Sequence, residues 1–271
     1  MPTLDLAAVV SDWPVGVASV AVVGQEGILD QVDDGARHPW ASVTKIVSAL
    51  TVLDLCLDGL LGLDSAAGPE GSTVRHLLSH ASGVAMDSDD VLAAPGTRRI
   101  YSNRGIEIAA LTAEARSGND FAVEVSDRVL EPLGMLGSTL DGSPAHGMVG
   151  GIADLAALAA ELLHSRQLLP GVVPAVSTLA FPGLPGVLPG FGRQQHNDWG
   201  LGCEIRNGKA PHWTAPENSP ATFGHFGQSG SFLWVDPVAN LACVSLCDRA
   251  FGEWAASAWP ELSSRVLATF S

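Results

Sequence analysis

The chain has 271 residues, 46% of them hydrophobic and 16% charged, with 29 acidic and 14 basic side chains giving a net charge of −15. So much apolar content excludes a disordered chain, and the length is enough to bury a real core. The acidity excludes partners held through phosphate charge, whether nucleic acid or an anionic membrane surface.

The opening segment MPTLDLAAVVSDWPVG lacks the basic stretch and following apolar run of a signal peptide. No uninterrupted apolar run reaches the ~18 residues of a spanning helix. The expected setting is the cytoplasm, where Cys56, Cys203, Cys243 and Cys247, which form no CxxC pair, read as buried free thiols.

In chain order, residues 15–34 read as two short Val- and Ala-rich strands around the turn Gly24-Gln25-Glu26-Gly27. Residues 42–61 predict a helix that is apolar on nearly every side, belongs inside the protein and ends at Gly62. A short helix over 73–78 stops at Ser82-Gly83. Three more helices follow: one from Asn103 to Gly118, one from Phe121 stopped by Pro132, and IADLAALAAELLHS with Asp154 favouring its first turn. Residues 167–198 are rich in proline and glycine and predict one long loop without regular structure, of the kind that borders a site. Strands WGLGCEI, SFLWVDP and LACVSLCD come next, the last two joined by the turn Pro237-Val238-Ala239-Asn240. An amphipathic helix, EWAASAWPELSSRVLATF, closes the chain.

Strands, helices, strands and a helix in that order predict an α/β (α+β) fold: an antiparallel sheet flanked by helices, with an inserted all-helical lobe. The expectation is a single domain over residues 1–271, its sheet lobe built from about 1–40 and 199–271, its helical lobe from about 41–165, and a loop over 166–198. A cleft between the lobes is the expected place for a site.

Three local patterns carry chemistry. In Ser42-Val43-Thr44-Lys45, residues three apart at a helix start share one face, so a hydroxyl and an amine can meet. A partly desolvated amine can take the serine proton, and free N–H groups at the helix start can stabilise an oxyanion. Alone, Ser-x-x-Lys is a common surface pattern. Here Lys45 heads a run with almost no other polar residue, so it enters a buried neighbourhood. In Tyr101-Ser102-Asn103, the single tyrosine of the chain can shuttle a proton, while the Asn103 amide can bind both Lys45 and the carbonyl side of a substrate. Seen alone, that tripeptide reads as a packed ring followed by a helix cap. In the glycine-flanked His225-Phe226-Gly227, placed just before the strand SFLWVDP, Gly227 allows close backbone approach and the N–H of Gln228 is a second oxyanion donor. His225 can donate a hydrogen bond or tune the local charge; a histidine between glycines is otherwise a plain loop residue.

Ser-x-x-Lys, Tyr-x-Asn and His-x-Gly in this order resemble the class C β-lactamase and esterase branch of the penicillin-recognising serine enzymes. Supporting stretches are VRHLLSHASGV, PGTRRIYSNRG, GGIADLAALAAELL and FGHFGQSGSFLWVDP, together covering about residues 40–250. The resemblance implies a β-lactamase/transpeptidase-like fold and an acyl-enzyme at Ser42, with Lys45 and Tyr101 sharing general-base duty and Asn103 positioning substrate. The family's third motif often begins with the lysine that helps recognise a substrate carboxylate. Histidine in that place resembles the esterase and amidase-like members, and Phe226 replaces the central threonine, so both changes speak against antibiotic hydrolysis. The segment between Gly83 and Pro95 is short for the family, which implies a reduced pocket wall.

The expected function is a serine hydrolase acting on a small ester or amide. The alternatives are an acyltransferase using the same Ser/Lys/Tyr site, and a catalytically silent binding protein on this fold. No cofactor and no metal are expected: His76 and His80 stand four apart but lack the glutamate of a zinc helix. Oligomeric state is unreadable from these patterns.

Overall fold

A computed structural model describes residues 4–168 and 170–271. Strands β1 (Ala18–Gly24) and β2 (Gly27–Val32) form the expected hairpin, after a short helix α1 (Leu6–Ser11). Strand β3 (His38–Pro39) leads to a 3-10 turn over Ala41–Val43 and then to helix α2 (Thr44–Leu57). Helices α3 (Val74–Leu78), α4 (Asn103–Ser117) and α5 (Phe121–Val125), the last running on into a π-helical turn, precede strands β4 (Thr139–Leu140) and β5 (Met148–Gly150). Helix α6 (Ile152–His164), helix α7 (Val172–Ser177) and strands β6 (Gly186–Leu188) and β7 (Gly192–Gln194) follow. The chain ends with β8 (Glu204–Ile205), β9 (Phe223–Gly227), β10 (Ser231–Asp236), β11 (Leu241–Cys247) and helix α8 (Glu253–Phe270).

The main sheet has six strands in the order β2-β1-β11-β10-β9-β8, each pairing antiparallel. Thus the N-terminal hairpin joins the C-terminal strands, and the helical middle is inserted between them. Both faces of the sheet are covered. Ala21, Val23, Leu233, Val235, Val244 and Leu246 face the core that holds α2 and α6. Their neighbours Val20, Val22, Phe232, Trp234 and Cys243 face α1 and α8. This explains why the central strands read as continuous apolar runs: a strand buried on both faces has no polar side to alternate with.

Helix α2 is buried from Thr44 through Leu55, as its all-round apolar pattern predicts. Ile46, Leu50 and Leu55 each contribute about 1.5–3 kcal/mol on burial, which offsets the cost of carrying the Lys45 amine inward. The helix stops four residues earlier than expected. Gly59, at φ 76°, adopts the left-handed conformation, and its N–H and that of Leu60 return to the carbonyls of Cys56 and Leu55. Glycine takes that conformation without a Cβ penalty, so Gly59 and not Gly62 ends the helix.

Residues 167–198 depart from the expected irregular loop, for they contain α7 and the β6–β7 hairpin. Pro174 sits in the first turn of α7, where a backbone donor is dispensable. Gly190 and Gly192, at φ 76° and 81°, turn the hairpin. The stretch WGLGCEI is strand only at Glu204–Ile205. His225-Phe226-Gly227 precedes the strand SFLWVD (β10) as expected, but it also lies within a strand of its own, β9.

Candidate active site

The turn that carries Ser42 is held in an uncommon backbone. Ala41, just before it, has φ 44°, a left-handed conformation that costs a non-glycine residue about 1–3 kcal/mol and persists only where surroundings impose it. Strand β9 packs closely on that turn. A Cβ on Gly227 would lie 2.5 Å from the Trp40 carbonyl oxygen and 3.0 Å from the Ala41 Cβ. Gly227 therefore serves close packing of β9 on the Ser42 turn, where the sequence suggested close approach of a ligand. Ser231 Oγ donates to the same Trp40 carbonyl at 2.7 Å.

Ser42, Lys45, Tyr101, Asn103 and His225 are brought together. Lys45, in the first turn of α2, places its Nζ 3.1 Å from Ser42 Oγ, 2.7 Å from Asn103 Oδ1 and 2.9 Å from the Ala145 carbonyl oxygen. The Tyr101 hydroxyl donates to Ser42 Oγ at 2.8 Å and lies 3.4 Å from His225 Nε2. Asn103 opens α4, whose cap is the neighbouring Ser102: its side chain accepts from the Gly105 N–H. The backbone N–H groups of Ser42 and Gln228 have no partner among the described residues, as donors awaiting an oxyanion would. Gln228 itself is exposed at the rim, tied through its carbonyl to the Phe251 N–H.

Burial sets the charge of each group. It lowers the Lys45 amine to about 7, against the opposing pull of the Asp87 and Glu107 carboxylates, which raise it. Burial likewise raises the Tyr101 phenol well above its usual range, so the ring is a neutral phenol near pH 7. His225 falls to about 3 through burial and the nearby Lys45 charge. Its Nδ1 lies 2.6 Å from the Phe226 carbonyl oxygen, which requires a proton on Nδ1 and leaves Nε2 as an acceptor facing Tyr101. His225 is thus a neutral imidazole without the cationic charge of a lysine.

The β9 alternation separates the motif. His225 pairs opposite Leu233, on the face toward α2, while Phe226 pairs opposite Phe232 on the α8 side. Phe226 packs there against Phe251 and Trp259, with ring centroids 4.9 and 5.9 Å away.

Two residues escaped the sequence reading. Asp87, in the short Gly83–Pro95 segment, accepts from Asn103 Nδ2 at 2.8 Å and so points Asn103 Oδ1 at Lys45. The Asn103 amide thus reaches Lys45 as expected, but its donor side turns to Asp87. Nothing in the sequence near Asp87 marks it. Glu204, on β8, borders the same cavity while fully buried. It accepts from Lys209 Nζ and Trp213 Nε1, and His212 Nε2 lies 2.9 Å from it. A lone carboxylate in the apolar run WGLGCEI was the available signal.

The cavity at Ser42 has a volume of about 420 Å³ and apolar walls that include Met86, Leu188, Pro189, Trp199 and Phe226. Leu188 ends β6, so the hairpin within the 167–198 segment forms one wall. Among the described residues, no three His, Cys, Asp or Glu side chains converge as a metal ion requires. His76 instead closes a capping box with Thr73 at the start of α3.

The β-lactamase family profile matches residues 6–266. The chain belongs to the β-lactamase family. A crystal structure of a β-lactamase from Mycobacterium bovis superposes with a TM-score of 0.95, at 48% identity over 97% of this chain and 98% of that one. Two more distant neighbours share the fold alone. EstCE1, a hydrolase with promiscuous acyltransferase activity, aligns at TM-score 0.78 and 17% identity over 96% of each chain. A simvastatin synthase (LovD) mutant from Aspergillus terreus aligns at TM-score 0.78 and 15% identity, over 97% of this chain and 93% of that one. This member of the β-lactamase family therefore has a β-lactamase/transpeptidase-like fold, and its Ser-x-x-Lys, Tyr-x-Asn and His-x-Gly stretches meet around one cavity. Among the described residues, no helix is long and apolar enough to cross a membrane.

Proposed function

We propose that this protein is a serine hydrolase that acts through an acyl-enzyme at Ser42 on a small ester or amide. The observation that carries this reading is the hydroxyl of Ser42, held between the Lys45 amine at 3.1 Å and the Tyr101 hydroxyl at 2.8 Å. Neutral Lys45 accepts the Ser42 proton as Oγ bonds to the substrate carbonyl carbon. The N–H groups of Ser42 and Gln228 receive the oxyanion. Tyr101, a neutral phenol, donates to the departing oxygen or nitrogen as the bond to it breaks, and the Lys45 ammonium restores that proton through the same hydrogen-bonded set. Water then repeats the steps in reverse on the acyl-enzyme. The base duty shared by Lys45 and Tyr101 thereby divides, with Lys45 as base and Tyr101 as acid.

An ester with an apolar acyl group suits the cavity better than a β-lactam. Its walls are apolar, and neutral His225 supplies no charge at the β9 position, where the family's lysine would meet a β-lactam carboxylate. A cytoplasmic setting fits the four free thiols.

The test is labelling with a fluorophosphonate and turnover of 4-nitrophenyl butyrate, by wild type and by Ser42→Ala. Wild type labels and turns over, Ser42→Ala does neither, and nitrocefin is hydrolysed far more slowly than the ester. An unlabelled wild type that turns over no ester, with Ser42→Ala binding 4-nitrophenyl butyrate equally well, would indicate a silent binding protein. Acyl transfer is the second reading, favoured by the apolar hairpin wall at Leu188 that limits water. It is read from the yield of a new butyrate ester when a primary alcohol is added.

A further inference from the structure

Beside the Ser42 cavity runs a second one, of about 640 Å³, and the two share Met86, Tyr101 and Pro189 in their walls. Three arginines line it: Arg98, Arg99 and Arg193. Among the described residues no carboxylate lines it, on a chain whose net charge is −15. Arg98 and Arg193 are exposed, and neither forms an ion pair among the described residues. Arg98 spends one N–H on the Leu92 carbonyl at 3.0 Å, and the rest of its fork is unengaged. Arg99 is buried, its guanidinium donating only to the carbonyls of Ser79, Ala180, Phe181 and Asn197. The buried Asp198 carboxylate lies near enough to favour the Arg99 charge and partly offset it, so the free positive charge of the groove is that of Arg98 and Arg193.

The backbone explains the convergence. The Arg99 N–H donates to the Pro185 carbonyl, and Arg99 bridges Gly186 at the start of β6. Arg193 on β7 pairs opposite Val187 of β6. The 98–100 segment and the β6–β7 hairpin thus form one short patch that sets Arg98, Arg193 and the apolar Leu92 and Val187 along a single groove.

We propose that this groove is a subsite for a carboxylate on the alcohol or amine half of the substrate. A guanidinium fork matches a planar carboxylate with two parallel hydrogen bonds, and Leu92 and Val187 suit an apolar spacer leading to it. The choice of the leaving half rests on the reading of Tyr101 as the acid: the departing atom must lie at the Tyr101 hydroxyl, and the groove begins at Tyr101. In acyl transfer, an acceptor alcohol would enter by the same groove.

The test compares 3-(butyryloxy)benzoate with 3-(butyryloxy)benzamide, which match in shape and differ in charge. At low ionic strength wild type favours the carboxylate in kcat/KM by about tenfold. In the double variant Arg98→Gln/Arg193→Gln the preference falls to about one, with turnover of the benzamide ester unchanged. Calorimetry of 3-hydroxybenzoate and 3-hydroxybenzamide on Ser42→Ala, with and without the two arginine changes, reads the subsite without chemistry. A carboxylate preference in binding that vanishes in the arginine variants upholds the subsite even if no ester is turned over, in which case the hydrolase reading alone fails. Equal binding of the two, or a preference that survives both changes, overturns the subsite.

Discussion

Lys45 holds its amine 3.1 Å from the Ser42 hydroxyl while donating to Asn103 Oδ1 and the Ala145 carbonyl. Two acceptors fix the amine in place, and burial makes it easy to deprotonate, lowering it to about 7. Position and basicity are therefore set by different parts of the structure, which can be altered separately.

The neutral amine is the active form, so kcat/KM for 4-nitrophenyl butyrate rises with pH and levels off above about 7. Below the midpoint the slope is ~tenfold per pH unit, as for one ionising base. A flat profile between roughly pH 5.5 and 8.5 would remove Lys45 from the base role.

Asp87→Asn removes a carboxylate that raises the Lys45 amine, while keeping an acceptor for Asn103 Nδ2. The midpoint of the pH profile moves below its wild-type position, and KM changes little. An unmoved midpoint with a fallen kcat would show that Asp87 only supports the loop.

Tyr101→Phe keeps the ring beneath Lys45, 4.8 Å from its centroid, and beside His80 at 4.6 Å, but deletes the hydroxyl bonded to Ser42. We expect kcat to fall by about 10²–10⁴ with KM nearly constant and the melting temperature little changed. Wild-type rates in this variant would assign the proton transfer elsewhere.

Glu204→Ala leaves the Lys209 ammonium buried without its counter-charge and His212 without its hydrogen-bond partner, and costs about 3–5 kcal/mol in urea unfolding at neutral pH. Burial pushes the Glu204 carboxyl up, but the His212 and Lys209 charges outweigh it and hold the group well below its ordinary value of 4.5. Its stabilising contribution is therefore present above 4.5 and is lost as pH falls through the lower, folded value. The stability gap between wild type and Glu204→Gln should narrow with acidification in that window; a gap independent of pH would deny the carboxylate this role.

Gly202→Ala would set a Cβ 2.3 Å from the Ala49 Cβ and 2.9 Å from the Lys45 carbonyl oxygen, at a backbone φ of 85°. We expect a loss of more than about 1 kcal/mol and a fall in kcat as α2 and Lys45 shift. Gly208→Ala, with open space and no such φ, is the control and leaves both unchanged.

Most of the proposed catalytic set was legible because its spacing is local. Ser42 and Lys45 meet because three residues make about one turn, and Tyr101 and Asn103 flank the cap of one helix. Strand β9 was less legible, since its glycines weaken the strand signal and pairing with β10 and β8 fixes it. The β6–β7 hairpin was hidden by its prolines and glycines, which mark turns as strongly as they mark loops. Asp87 gave no local pattern, for it acquires its role from Asn103 on another element, while Glu204 showed only as a lone carboxylate in an apolar run.

The sequence by itself determined the α/β class, the buried course of α2 and which serine, lysine and tyrosine to propose as nucleophile, amine and phenol, because periodicity and short spacing carry those. Only the tertiary structure decided their ionisation. Lys45 is ready to lose its proton and His225 is neutral because both are buried, and burial at a point is the sum of contacts from segments far apart in the chain.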